Sequence, residues 1–122
     1  MKILLIDDNE DIVELLRAFL ESVGYEITTS LNGKDGLDLI IKEKFDVILL
    51  DITMPDFSGF DVVTSLQDSD NLKNNNIIFF TAADVPDSEL EEWMKFGVKG
   101  CLKKPIDPPA LFAKINEVRL SS

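Results

Sequence analysis

The 122-residue chain contains no histidine and a single cysteine, Cys101. Without histidine the chain lacks the most common general base and metal ligand, and it cannot itself carry a phosphohistidine. One cysteine cannot form an internal disulfide, and a lone thiol fits a reducing compartment, so we expect a cytoplasmic protein. No apolar run approaches the roughly 18 residues of a transmembrane helix, so we expect no membrane span.

Basic side chains are also scarce, because 12 Lys and Arg residues stand against 23 Asp and Glu residues, for a net charge of −11 at pH 7. Direct nucleic-acid binding requires basic groups that neutralise phosphate, so this charge argues against it. Hydrophobic residues make up 45% of the chain and charged residues 29%, which is ordinary globular composition. The length fits one domain, residues 1–122.

Short apolar runs alternate with segments in which apolar residues recur at helical spacing. The runs predict buried strands at residues 3–6, 45–51 and 77–81. Two further strands are predicted at 25–30, which has β-branched residues, and at 98–102, and each of the five strands is followed by a helix. Five strands that alternate with five helices indicate an α/β fold with a parallel sheet. We expect a flavodoxin-like doubly wound sheet of order 2-1-3-4-5, in which ligands bind outside the carboxyl ends of strands 1 and 3.

Two of the predicted helices have recognisable caps and faces. The first begins at Asp8 or Asn9 and has one apolar stripe, formed by Ile12, Leu15, Leu16, Phe19, Leu20 and Val23. The fourth is predicted to begin with a capping box of Ser88 and Glu91. Its inward face is predicted to contain Leu90, Trp93 and Met94.

Charged and polar residues follow the strands at the edge where a ligand is expected. Asp7 and Asp8 follow strand 1, Asp51 ends strand 3, Thr81 ends strand 4 and Lys104 follows strand 5. Carboxylates 4 Å apart repel by roughly 4 kcal/mol per pair at an effective dielectric of 20. One lysine compensates one charge, and an oxygen-ligated divalent cation would compensate the rest. Mg²⁺ suits such a site, since it prefers oxygen ligands and keeps several waters.

A magnesium site beside a free carboxylate and a lysine suits phosphoryl transfer. Asp51 is the best nucleophile candidate, because it lies centrally at the end of the most hydrophobic strand. Asp7 and Asp8 form the better metal pair, being adjacent on one loop. The hydroxyl of Thr81 can donate to a phosphoryl oxygen, and Lys104 can neutralise one. Pro105, which fixes the neighbouring backbone, favours Lys104 over the preceding lysine for this role.

Four motifs occur in order, each closing a predicted strand: Ile-Asp-Asp at 6–8, Asp-Ile-Thr-Met-Pro-Asp-Phe-Ser-Gly at 51–59, Thr-Ala at 81–82 and Lys-Pro at 104–105. Together they make the chain, over essentially its whole length, resemble a response-regulator receiver domain of the chemotaxis type. The resemblance implies a phosphorylation-dependent signalling switch of a two-component system. Such a domain catalyses its own phosphorylation and slow hydrolysis but is not a turnover enzyme.

The resemblance also implies partners and roles for individual residues. Asp51 would accept the phosphoryl group from a phosphohistidine on a sensor kinase or a phosphotransfer protein. Mg²⁺ would be held by Asp8, Asp51 and the backbone carbonyl of Thr53, while Asp7 holds a bound water. A cis peptide would join Lys104 to its proline, and Thr81 would move toward the phosphoryl group. The output partner is left open, as is the choice between a monomer and a phosphorylation-linked homodimer.

Three positions depart from, or vary within, the pattern of that family. Cys101 stands where the family usually has Tyr or Phe, and a small residue cannot fill the same space. Thr53 and Ala83 occupy positions that tune phosphoryl lifetime in the family, and neither side chain is acidic or an amide. Cys101 is therefore predicted to be a small buried residue, and the coupled aromatic switch is not expected in its usual form.

Two other functions use related sites. A haloacid-dehalogenase-type phosphatase needs a second Asp two residues after its nucleophile, where this chain has Thr53. A flavodoxin-like FMN carrier needs a Ser/Thr/Gly-rich phosphate loop after strand 1, where this chain has the acidic segment 7–11. Both stay as alternatives with less support than the switch.

Overall fold

The structure, a computed structural model, describes residues 1–121, apart from the side chains of residues 73, 120 and 121. In this described part, five strands alternate with five α-helices. The strands are β1 (Lys2–Ile6), β2 (Glu26–Ser30), β3 (Val47–Asp51), β4 (Ile77–Thr81) and β5 (Gly100–Lys103). The helices are α1 (Glu10–Ser22), α2 (Gly33–Lys42), α3 (Gly59–Asp68), α4 (Asp87–Phe96) and α5 (Pro108–Ser121), and a 3-10 turn at Leu72–Asn74 precedes β4.

All strand pairs are parallel, and their order is β2-β1-β3-β4-β5, which confirms the predicted flavodoxin-like doubly wound sheet. In the register of the central pair, Ile6 at the end of β1 lies opposite Leu50 of β3. Asp7, which follows β1, and Asp51, the last residue of β3, are therefore neighbours at this edge of the sheet. The sheet topology thus brings two acidic residues from distant parts of the chain to one edge.

Each face of the sheet buries its own apolar cluster, since successive strand residues point to opposite sides. The cluster under α2 and α3 includes Leu4, Ile48, Phe79, Ile40 and Val62. The cluster under α1 and α5 includes Ile3, Leu49, Phe80, Leu16 and Leu111. All five residues of β3 are buried, so the core on both sides holds the strand that carries Asp51. Within the described residues, no helix has the length and apolar character needed to cross a bilayer.

The predicted stripe of α1 is wrong at two of its positions. Leu15 is 70% exposed and Val23 is 43% exposed, whereas Val13, outside the predicted stripe, is buried with Leu16 and Leu20. The buried face of α1 is therefore rotated relative to the predicted stripe. It is also narrower than the apolar surface of the helix, so part of that surface stays exposed. Asn9 caps the helix, as predicted, by accepting hydrogen bonds from two backbone N–H groups of the first turn.

The predicted start of α4 is also wrong. The helix begins at Asp87, after Pro86 at the cap position, and the capping box of Ser88 and Glu91 does not form. Ser88 instead lies inside the first turn, where acidic neighbours interact favourably with the helix dipole. Met94, predicted to face inward, is 45% exposed. None of the ten residues of α4, all of which the structure describes, is buried.

Candidate functional site

Three carboxylates meet at the carboxyl edge of the sheet. Asp7, Asp8 and Asp51 each offer an oxygen, and these atoms all lie within 4.8 Å of one another. Asp7 is fully buried and Asp51 is 3% exposed, while Asp8 is open to solvent. The three residues predicted to bind a metal through side chains are thus together, in a crevice with one open side. An all-oxygen, acidic donor set of this kind suits Mg²⁺.

The ammonium group of Lys104 bridges the two buried acids. Its Nζ lies 2.7 Å from Oδ2 of Asp7 and 3.5 Å from Oδ2 of Asp51. The other oxygen of Asp7 accepts a hydrogen bond of 2.9 Å from the backbone N–H of Asn9. Both carboxylate oxygens of Asp7 therefore have a close partner, whereas the Lys104 ammonium lies farther from Asp51. Of the two, Asp51 is the carboxylate with capacity left for chemistry.

The surroundings of Asp51 raise its pKa from 3.8 to about 6. Burial is the largest cause, because it disfavours the charged form, and repulsion from Asp7 is the second. Attraction to Lys104 and a hydrogen bond from the backbone N–H of Thr53, 3.3 Å from Oδ1, act in the opposite direction. One lysine therefore does not balance two buried carboxylates. A bound cation would supply the missing positive charge, so the residues present fit Mg²⁺.

The loop after β3 is held tightly against Asp51. The backbone N–H of Gly59, the first residue of α3, donates to the carbonyl oxygen of Ile52. A Cβ atom at Gly59 would lie 2.5 Å from the carbonyl oxygen of Asp51, so only glycine allows this close approach. Thr53, predicted to offer its carbonyl to the metal, lies in this loop beside the cluster.

Thr81 and Lys104, the two residues predicted to contact a phosphoryl group, lie at the carboxyl ends of neighbouring strands. Thr81 is the last residue of β4, is almost fully buried, and accepts a hydrogen bond of 3.1 Å from the N–H of Ala83. Lys104 pairs with the buried Asp7 in the crevice, while Lys103 pairs with Asp84 on the surface. The predicted cis peptide between Lys104 and Pro105 is present.

Cys101 is only half-buried, which corrects the expectation of a buried residue. It lies opposite Phe79 in the sheet register and packs at the margin of the cluster under α3. Burial raises the pKa of its thiol. The aromatic groups on this side of the sheet come from other elements, since Trp93 of α4 stacks on Phe60 of α3 with ring centroids 4.9 Å apart.

An apolar groove beside the crevice was not predicted. It encloses about 530 Å³ between α1 and the start of α5, and its lining includes Ile12, Leu15, Phe19, Pro105, Ile106 and Leu111. Ala82 and Lys104 also line it, so the groove is continuous with the acidic site. The surplus apolar residues of the α1 stripe were the signal in the sequence, because they exceed what one helix face can bury.

A family model described as "Response regulator receiver domain" matches residues 3–116. The response regulator DivK of Brucella anthropi is 34% identical over 114 residues, which are 93% of this chain and 92% of DivK. The response regulator PleD of Caulobacter vibrioides is 33% identical over 96% of this chain. The chain spans 26% of the length of PleD and 49% of that of SaeR from Staphylococcus epidermidis.

Solved structures give the same similarity. The response regulator TrrA of Thermotoga maritima, in complex with Mg²⁺-BeF, is 32% identical with a TM-score of 0.82, covering 96% of this chain and 97% of TrrA. The chemotaxis protein CheY4 of Vibrio cholerae is 31% identical with a TM-score of 0.83, at the same coverage of both chains.

Proposed function

This chain belongs to the family of response regulator receiver domains, and from that membership we propose that Asp51 is the residue on which it is phosphorylated. The domain is a phosphorylation-dependent signalling switch of two-component systems. The observation that supports Asp51 is its position at the end of the buried strand β3, in the cluster with Asp7 and Asp8 and 3.5 Å from Lys104. We propose that residues 1–122 form this one receiver domain.

Each residue of the site has a separate task in this proposal. One oxygen of Asp51 attacks the phosphorus, the bond from phosphorus to the donor's histidine nitrogen breaks, and the electron pair stays on that nitrogen. Lys104 pairs with a phosphoryl oxygen, and the Thr81 hydroxyl donates to another. Asp8, Asp51 and the carbonyl of Thr53 would hold Mg²⁺, and Asp7 would contribute through a bound water. Bound there, Mg²⁺ supplies charge neutralisation for the transferred group.

Family membership sets aside the two alternatives from the sequence. Thr53, two residues after Asp51, is not an acid, so a phosphatase of the haloacid-dehalogenase type would lack its general acid. The segment after β1 is acidic and supplies Asp7 and Asp8, two of the three clustered carboxylates, which would repel an FMN phosphate. A signalling domain that carries out only its own phosphorylation and hydrolysis fits the site.

The test uses acetyl phosphate as a small phosphoryl donor. Incubation with Mg²⁺ is expected to give a base-labile phosphate adduct on the chain, detected by intact mass. Chelation of the metal with EDTA is expected to suppress the adduct, because the buried carboxylates then lack a compensating charge. Repeated hydrolysis of a soluble phosphoester would instead indicate a phosphatase, and a flavin-coloured preparation an FMN carrier.

Histidine kinases phosphorylate the family, and the donor for this chain is a sensor kinase or a histidine phosphotransfer protein. That donor has to bring its phosphohistidine over Asp51, so it covers the surface next to the crevice. The apolar groove continues from Lys104 and exposes Leu15 to 70%, which suits an apolar helix face of the donor. The output partner, the oligomeric state and a cytoplasmic location stay predictions.

Leu15→Glu is expected to slow phosphorylation by a histidine phosphotransfer protein about tenfold or more, because the charge would be buried in the donor interface. Phosphorylation by acetyl phosphate is expected to be unchanged, since the crevice is intact. Ile41→Glu, at a residue 59% exposed on α2, is the matched control and should leave both rates unchanged. Equal transfer rates for the two variants would contradict docking in the groove.

A further inference from the structure

The ammonium group of Lys104 lies over the face of an aromatic ring as well as between two acids. Its Nζ is 4.9 Å from the centroid of the Phe80 ring. The lysine side chain is 13% exposed and Phe80 is fully buried. The ammonium therefore contacts the carboxylates of Asp7 and Asp51 and also the negative face of a π-system.

The backbone fixes how the ring and the lysine meet. Phe80 precedes Thr81 at the end of β4, and the backbone N–H of Lys104 donates a hydrogen bond of 2.9 Å to the Thr81 carbonyl. The ring belongs to the cluster under α1 and α5, packed with buried neighbours that include Leu49, Ile78 and Leu111. The Phe80 ring is thus fixed by its packing, whereas Lys104 is a long side chain with several rotatable bonds.

We propose that Phe80 is a positioning residue for phosphoryl transfer: its ring face holds the ammonium of Lys104 at the crevice, where it meets the incoming phosphoryl oxygens. The inference rests on the proposed function of Asp51. Cation–π attraction is strongest for a desolvated cation, and this ammonium is largely buried. An aliphatic residue at position 80 would fill the same space without attracting the charge, so Lys104 would sample more conformations before transfer.

The test changes the electrostatics of the ring with little change in its shape. Phenylalanine carrying one, two or three ring fluorines is inserted specifically at position 80, since each fluorine weakens the negative ring face. At saturating Mg²⁺, the rate of phosphorylation by acetyl phosphate is expected to fall stepwise along the series, by about three- to tenfold at three fluorines. Melting temperatures report whether packing has changed.

Phe79 provides the matched control. It is equally buried in the same strand but lies on the other face of the sheet, against Phe60 and Trp93. The same fluorinated residues at position 79 are expected to leave the rate unchanged. NMR adds a second readout: the ring-current shift of the Lys104 ε-methylene protons should decrease stepwise along the fluorinated Phe80 series and be lost in Phe80→Leu.

The outcomes separate this inference from the function on which it rests. Equal rates along the Phe80 series, or equal losses at Phe79 and Phe80, would overturn the positioning role while phosphorylation of the parent chain still stands. A parent chain that takes up no phosphate would overturn the function of Asp51, and the positioning role with it. A graded loss at Phe80 alone would support both.

Discussion

Asp51→Asn is expected to abolish phosphorylation by acetyl phosphate. The amide has nearly the same shape as the carboxylate, so the variant should fold, but it lacks the negatively charged oxygen that attacks phosphorus. Intact mass after incubation with acetyl phosphate and Mg²⁺ should show the adduct on the parent chain and none on the variant. The effect is expected to be all-or-none, because among the described residues the other acid that pairs with the Lys104 ammonium is Asp7, and that ammonium already neutralises it at 2.7 Å.

Asp56→Asn is the matched control for this substitution. Asp56 lies in the exposed loop after β3 and has a φ of 67°, a left-handed conformation that asparagine adopts readily. The same chemical change there should leave the yield of adduct unaltered. If the adduct persists in Asp51→Asn, the nucleophile is elsewhere, and the same assay on Asp7→Asn and Asp8→Asn would then locate it.

The fold was predictable because its strongest signals are local. The run from Val47 to Leu50 is apolar without interruption, as a strand covered on both faces must be, and the alternation with helices fixes a parallel sheet. The site followed from the fold, since parallel strands place their carboxyl ends together. Asp7, Asp51 and Lys104 could therefore be brought to one crevice without coordinates.

The orientation of individual helices was harder to predict. Leu15 is as apolar as Leu16, yet one faces solvent and the other the sheet. Which of the two is buried depends on the rotation of α1, and that depends on packing against residues distant in sequence. The prediction of where α4 begins was wrong for a related reason. The helix begins directly after Pro86, with acidic residues in its first turn, while Ser88 only matched the sequence pattern of a capping box.

The aromatic contacts that attach α4 to the rest of the fold could not be predicted from local sequence patterns either. Trp93 stacks on Phe60 with an angle of 11° between the rings and meets Phe79 edge-on. The three aromatics come from α4, α3 and β4, so no spacing within one element indicates the contact. The lysine–ring contact at Phe80 is similar, because Phe80 lies in β4 and Lys104 follows β5, and the sequence says nothing of ring orientation.

The second large effect concerns stability in magnesium-free buffer. Because the folded-state pKa of Asp51 is raised to about 6 from 3.8, the folded chain holds a proton that the unfolded chain releases between these values. The free energy of unfolding therefore falls as pH rises through this window and stays lower above it. A tenfold change in an ionisation constant is worth about 1.4 kcal/mol, so the loss is on the order of 3 kcal/mol.

Asp51→Asn should remove this loss, because the charge that is buried beside Asp7 and only partly balanced by Lys104 no longer forms. Urea unfolding followed by the fluorescence of the single tryptophan, Trp93, measures both chains. The two chains differ only at position 51, so the difference between their free energies of unfolding reports the charge of Asp51 together with its repulsion from Asp7. With EDTA the variant should match the parent near about pH 4 and exceed it above about pH 6.

Adding Mg²⁺ above pH 6 should narrow that difference. The cation binds the folded parent through the acidic cluster, offsets the repulsion and raises the free energy of unfolding, whereas the variant has lost one charged ligand and gains less. A variant no more stable than the parent in EDTA at neutral pH would show that Lys104 alone balances the two buried acids. The cluster would then not need a metal to balance its charge, which would contradict the inference from charge that it binds Mg²⁺.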